Sequence, residues 1–170
     1  MKVAGKDLSK MKHGTVSVEL ADGTVEFKIT AFPYGFMDDL LRNIPAPEPP
    51  WGFVRGKNNR YERDESGAPL RFRDESKPEY RRAMQKHTAL QMAAQFHQAV
   101  REDPQIEWDA QAEDHSDMRA FYEKIHEELK VSGITMGAVL RVVQAVNELS
   151  GISIDKIESA KEGFTDPDQN

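Results

Sequence analysis

The chain has no cysteine among its 170 residues. That absence removes a disulfide framework, a thiolate zinc site and a thiol nucleophile together, and it fits a reducing cytoplasm. Long apolar runs are missing too: no stretch approaches the roughly 20 residues that a membrane-spanning helix needs. Apolar residues make up 38% of the sequence, so the core must be modest and the surface wide. Residues 1–13 are polar and basic with no apolar stretch behind them, and they read as a flexible arm rather than a secretory signal. No internal repeat is legible.

Motifs for chemistry are equally scarce. There is no glycine-flanked serine elbow and no glycine-rich phosphate loop. His126-Glu127-Glu128-Leu129-Lys130 has the outline of a zinc-protease helix, but Lys130 puts a cation where the second histidine ligand belongs. His87 and His97 stand ten residues apart on one expected helix, which does not bring them to a common face. The acidic residues after 101 lack calcium-loop spacing. No catalytic residue, metal ligand or cofactor site emerges, and the expectation is a protein that is not an enzyme.

Charge is present but uneven. Residues 1–50 hold 6 basic and 7 acidic groups, residues 51–100 hold 10 and 6, and residues 101–170 hold 7 and 16. A basic middle beside an acidic C-terminal part favours an oppositely charged partner or head-to-tail self-association into a homo-oligomer. Solvated faces of mixed sign are the plain alternative.

The elements predict an α+β fold, mostly α: an N-terminal β-hairpin packed on a bundle of four to five helices, in a single domain over 14–164. Val16, Val18 and Leu20 alternate with polar residues, as do Val25, Phe27 and Ile29, with Asp22-Gly23 between them as a tight turn. That turn pairs Leu20 with Val25, Val18 with Phe27 and Val16 with Ile29. A short helix follows, with Pro33 in its first turn and Phe36, Met37, Leu40, Leu41 and Ile44 at helical spacing. The proline-rich segment 45–50 is extended, and 51–75 reads as a long polar loop. Ser76 and Glu79 suggest a capping box opening a helix over 77–101, with one apolar stripe through Tyr80, Met84 and Leu90 and another through Met92, Phe96 and Val100. Ile106 and Trp108 anchor an acidic loop. A helix over about 116–131 follows. Thr135 then caps a helix whose core face is Met136, Val139, Leu140, Val143 and Val146, with Gly151 at its end. Ser153 caps a last short helix carrying Ile154, Ile157 and Phe164, and 165–170 is a disordered tail.

Two binding surfaces suggest themselves. Trp51, Phe53, Tyr80, Met84, Met92 and Phe96 offer apolar and aromatic contacts to a protein partner, Trp51 standing directly after the stiff proline segment. Arg55, Lys57, Arg60, Arg63, Arg71 and Arg73 interleave with aromatics as they would in a nucleic-acid-binding segment over 51–86. Glu62, Asp64, Glu65, Asp74 and Glu75 dilute that charge, and phosphate affinity scales with uncompensated basic groups, so the protein partner is the first reading.

The order of these features resembles the tail assembly chaperones of long-tailed bacteriophages. A hairpin is followed by Ile44-Pro45-Ala46-Pro47-Glu48-Pro49-Pro50-Trp51, a polar loop, Lys77-Pro78-Glu79-Tyr80 opening a long helix, a Gly133-Ile134-Thr135 turn, and a final segment ending in Phe164. The likeness spans about 14–164, and residues 51–75 have no place in the family pattern. It implies a cofactor-free protein of the host cell cytoplasm. Such a protein binds the tape-measure protein, keeps it soluble and helps the tail tube polymerise around it.

Overall fold

A computed structural model gives the fold and describes residues 2–3, 6–7, 13–20, 23–112 and 117–151. The helix expected after Ser153 and the tail 165–170 lie outside the described residues. Within residues 1–13, β1 (Lys2–Val3) pairs antiparallel with β2 (Lys6–Asp7). The main chain path then runs β3 (His13–Leu20), β4 (Gly23–Thr30), α1 (Phe36–Asn43), β5 (Trp51–Phe53), β6 (Arg71–Arg73), α2 (Pro78–Val100), α3 (Met118–Val131) and α4 (Met136–Ser150). The architecture is α+β and mostly helical, with the β3–β4 hairpin packed on the helices.

Alternation puts Val18, Phe27 and Ile29 of the hairpin into the core, as expected. The register differs by two residues. Val18 faces Val25, Val16 faces Phe27, Gly14 faces Ile29, and the ladder closes at Leu20 with Gly23. A slip of two returns every side chain to the same face, so burial cannot choose between the two registers. Gly23, at φ 130°, opens β4 instead of sitting in the loop. The inner face then meets α2 and α4: Phe27 stands edge-on to Phe96 at 6.0 Å, and a side chain at Gly14 would touch Leu149. Long-range bonds tie the ribbon down, two of them from backbone amides. Lys28 N donates to Asp103 Oδ2 at 2.7 Å and Phe32 N to Ser150 Oγ at 2.9 Å.

The central helix α2 changes character along its length. From Leu90 to Val100 it is enclosed from both sides, burying Leu90, Ala93, Ala94, Phe96, Ala99 and Val100. Before Leu90 nothing on it is buried, and Tyr80 and Met84 are half-covered. Its start also differs from expectation. Lys77 occupies the N-cap without a side-chain bond, because the Ser76 hydroxyl is spent on Asp74 Oδ1. Asp117 and Thr135 do cap α3 and α4, accepting from Ala120 N and Ala138 N, and Gly151 closes α4 at φ 78°. Pro33 lies ahead of α1, where its carbonyl accepts from Phe36 N. On α4 the buried arc runs through Ala138, Val139, Val142, Val143 and Val146. Met136 and Leu140, expected in the core, fall past its edge and are 52% and 44% exposed.

The proline segment delivers the next piece of chain to a defined place. Ile44 is buried, and Pro45 and Pro47 line a cleft with Ala83, His87 and Leu90 of α2. The chain therefore runs back along the uncovered half of α2 toward its first turn.

Candidate functional site

Residues 51–74 are a built module. Val54 N donates to Leu70 O at 3.0 Å, Leu70 N to Glu62 O at 2.8 Å, and Glu62 N to Val54 O at 3.0 Å. Three backbone bonds thus close a ring through residues spaced by eight. The pairings around it repeat the same spacing: Phe53 with Arg71, Arg55 with Tyr61, Arg63 with Pro69. Two of its connections are three-residue hairpin loops. Gly56 N donates to Arg60 O and Asn59 N to Gly56 O; Asp64 N donates to Ala68 O and Gly67 N to Asp64 O. Each ends on a left-handed residue, Asn59 at φ 58° and Gly67 at φ 83°, as a type I turn with a following left-handed position demands. The expectation of no repeat is corrected: the unit is a ring residue, any residue, then arginine, at 53–55 and 61–63, with Pro69 replacing the aromatic at 69–71.

Side chains lock this module without a core. Within 51–77 only Gly52 is buried. The guanidinium of Arg55 lies over the Tyr61 ring at 5.0 Å, Arg71 over Phe53 at 5.6 Å, and Arg73 over Trp51 at 4.1 Å. Arg55 also donates to Asn59 Oδ1, Arg63 to Gly67 O, and Arg73 to Pro49 O and Glu48. Phe72 covers Gly52 so closely that a methyl there would sit 2.8 Å from the ring. Asp64 Oδ1 accepts from Ser66 N, Ser66 Oγ and Ala68 N, and Asp74 Oδ1 accepts from Ser66's counterpart, Ser76, in the same way. Those serine bonds hold both carboxyls below the usual carboxylate range.

The sequence candidates divide accordingly. Trp51 and Phe53 are 55% and 42% exposed, on the same side as the stacked arginines. Tyr80 and Met84 are half-buried on the first turns of α2. Met92 is half-buried in a groove with Ala89, Leu129, Ile134, Met136 and Val139. Phe96 is fully enclosed by Phe27 and Trp108, so it is core and offers nothing to a partner. Of the basic set, Arg55, Arg63 and Arg73 are engaged inside the module. Lys57 and Arg60 hold no ion pair or side-chain hydrogen bond among the described residues, and Arg71 holds only its ring. Tyr61, Leu70 and Phe72, exposed on the module, were not singled out as contacts for a protein partner; the eight-residue spacing from Phe53 was the signal that could have placed Tyr61.

Elsewhere, no group of three or more metal-binding side chains converges among the described residues. No described helix is long and apolar enough to cross a membrane. His97 is held to a pKa of about 4, by burial between Trp108 and Phe121 and then by Arg101 nearby. His126 is lowered, by burial first and Lys130 second. These shifts have packing causes, and the two histidines lie on different helices without a shared cleft. No family model, curated protein or solved structure matches the chain.

Proposed function

We propose that the protein is a non-catalytic assembly chaperone of the long-tailed phage type, binding a long helical tail protein such as the tape-measure protein through the 51–74 module. The observation that supports this is the distribution of exposed rings. The helices enclose most of their apolar stripes, while Trp51, Phe53 and Tyr61 stay open on a face held rigid by backbone bonds and stacked arginines, and Phe72 is exposed on the other side of the β5–β6 ribbon. Tryptophan, tyrosine and arginine in a fixed geometry are the composition of protein-interface hot spots. Because each module strand bonds to the other two around a closed ring, little free edge remains for strand addition, so side chains make the contact.

The test is co-expression with a long tail protein that is insoluble alone. The wild type should keep it in solution and co-purify with it. Trp51→Ser with Phe53→Ser should lose at least about tenfold of the captured client, as hot-spot truncations do, at an unchanged melting midpoint. Equal capture by the variant would remove the reading.

A second reading, single-stranded nucleic acid, is favoured by Lys57, Arg60 and Arg71, which have no anionic partner in the module. It comes second because Arg55, Arg63 and Arg73 already spend donors internally. Binding of a labelled oligonucleotide at low salt, weakening steeply as salt rises, would promote it; an unchanged anisotropy would end it.

A further inference from the structure

The module joins α2 at its first residue, and an acidic segment leaves α2 at its last. The 23 residues of α2 place these ends roughly 35 Å apart. Residues 51–77 carry seven basic and five acidic side chains, while 102–112 carries four acidic and none basic. Asp64 and Asp74 are tied into their own turns. Lys57, Arg60 and Arg71 hold no ion pair among the described residues, and they stand exposed with Glu62, Glu65 and Glu75 on a module of small net positive charge. In the acidic segment, Asp103 is buried against Lys28 N and Glu102 lies 3.7 Å from Arg101. Glu107 and Asp109 remain exposed and hold no ion pair among the described residues. They flank Trp108, which is packed against the core with an edge still open. One end of α2 thus carries a small net positive charge among open rings, and the other presents carboxylates either side of a partly open indole.

The geometry points to a second copy of this chain as an occupant of the module face: we propose a two-fold dimer in which each module docks on the 102–112 segment of the other copy. This rests on the reading of the module as the contact surface. A helix of this length keeps a copy from joining its own two ends. Two copies lying antiparallel join both pairs at once, and that closed arrangement satisfies every end, where a head-to-tail row leaves two unsatisfied.

The experiment is the mass of the full chain by sedimentation equilibrium, at about 30 mM and about 500 mM salt. A dimer is expected at low salt, with a dissociation constant at least about tenfold weaker at high salt, because exposed charge pairs are screened. Lys57→Glu with Arg60→Glu should be monomeric, and so should Glu107→Lys with Asp109→Lys. Mixing the two variants should restore a dimer, since each inverted end then meets its complement. A monomer at every concentration, a dimer indifferent to salt and to both variants, or a mass that climbs without limit would overturn the proposal. A monomeric wild type that still captures the tail protein would sink the dimer alone. Because dimer and client would share the module face, the monomeric Glu107→Lys with Asp109→Lys variant, which leaves that face intact and open, is the arm that tests capture: its failure to capture the client would sink the chaperone reading alone.

Discussion

The two halves of α2 belong to regions held together by opposite means. Residues 90–100 sit in a dry core with the hairpin, α3 and α4, where Phe96, Val100, Ile125, Val142 and Val146 are wholly enclosed. The module ahead of residue 78 encloses almost nothing, yet it has a defined ladder, two matching loops and three guanidinium–ring stacks. One region is fixed by removing apolar area from water. The other is fixed by saturating backbone groups and by stacking exposed side chains. The largest effect should therefore fall on the first. Phe96→Ala is expected to cost about 3–5 kcal/mol of global stability, read as a lower denaturant midpoint at unchanged slope. A loss under about 1 kcal/mol would mean the core is not what holds the bundle.

Acid should separate the regions next. His97 titrates near 4 in the fold and near 6.5 in an unfolded chain. Between those values the unfolded state binds a proton that the folded state refuses, so stability is full above about 6.5 and falls as pH drops toward 4. The partly buried ring limits the loss to at most about 3 kcal/mol. The module loses its share in the same direction but at lower pH. Its Asp64 and Asp74 carboxyls are depressed, so their contribution persists down to the ordinary carboxylate range and is lost only below it. Between pH 6.5 and 4 the bundle should weaken while the module's amides keep their protection from hydrogen exchange. His97→Leu should flatten most of that slope, leaving the smaller share of His126, whose pKa is also lowered. An unchanged slope would show that His97 is not the group refusing the proton.

What could be read from sequence follows the same divide. Apolar period reports burial, and it placed the hairpin face, α2 through Val100, and Phe121, Tyr122, Ile125 and Leu129 on α3. It could not set the hairpin register, since a two-residue slip leaves Val18, Phe27 and Ile29 on the same face. It also put Met136 and Leu140 inside, because a helix flank and a helix core differ by one step of rotation. In the module there is little burial for a period to report. Its order comes from Asn59 and Gly67 in equivalent turns, from Asp64-Glu65-Ser66 echoed by Asp74-Glu75-Ser76, and from arginines at 55, 63 and 71. Those are turn and stacking signals, and read singly they look like a polar loop. Trp51 and Phe53, which stand exposed on the module, were legible as candidates because an aromatic after a proline run stands out. Phe96 was misplaced among them because a helix buried on two sides mimics one with a face to spare.

The closed ring makes a sharper, smaller prediction. Gly67 has open space around it but sits at φ 83°, so Gly67→Ala meets only the backbone cost of the left-handed region, about 1 kcal/mol. If Val54, Glu62 and Leu70 open as one unit, their three amides should exchange roughly fivefold faster together. Acceleration of Leu70 alone would mean three separate hairpins. Amides of α3 and α4 should not respond in either case.

Arg73→Met tests the weakest link. The guanidinium lies 4.1 Å from the Trp51 ring centre and 3.1 Å from a Glu48 oxygen. Both partners are well exposed, so the ion pair is worth little and the stack about 0.5–1 kcal/mol. Methionine keeps most of the apolar stem over the indole and removes the charge. The expected result is a rise of no more than about fivefold in exchange along the β5–β6 ladder, with the ring of Val54, Glu62 and Leu70 less affected and the bundle untouched. Client capture should fall more than ladder protection does, because a loosened Trp51 must be reordered on binding and that ordering is charged to affinity. If capture and ladder protection both stay at the wild-type level, the stacked arginine is solvated decoration, and the module's rings need no cation to hold them in place.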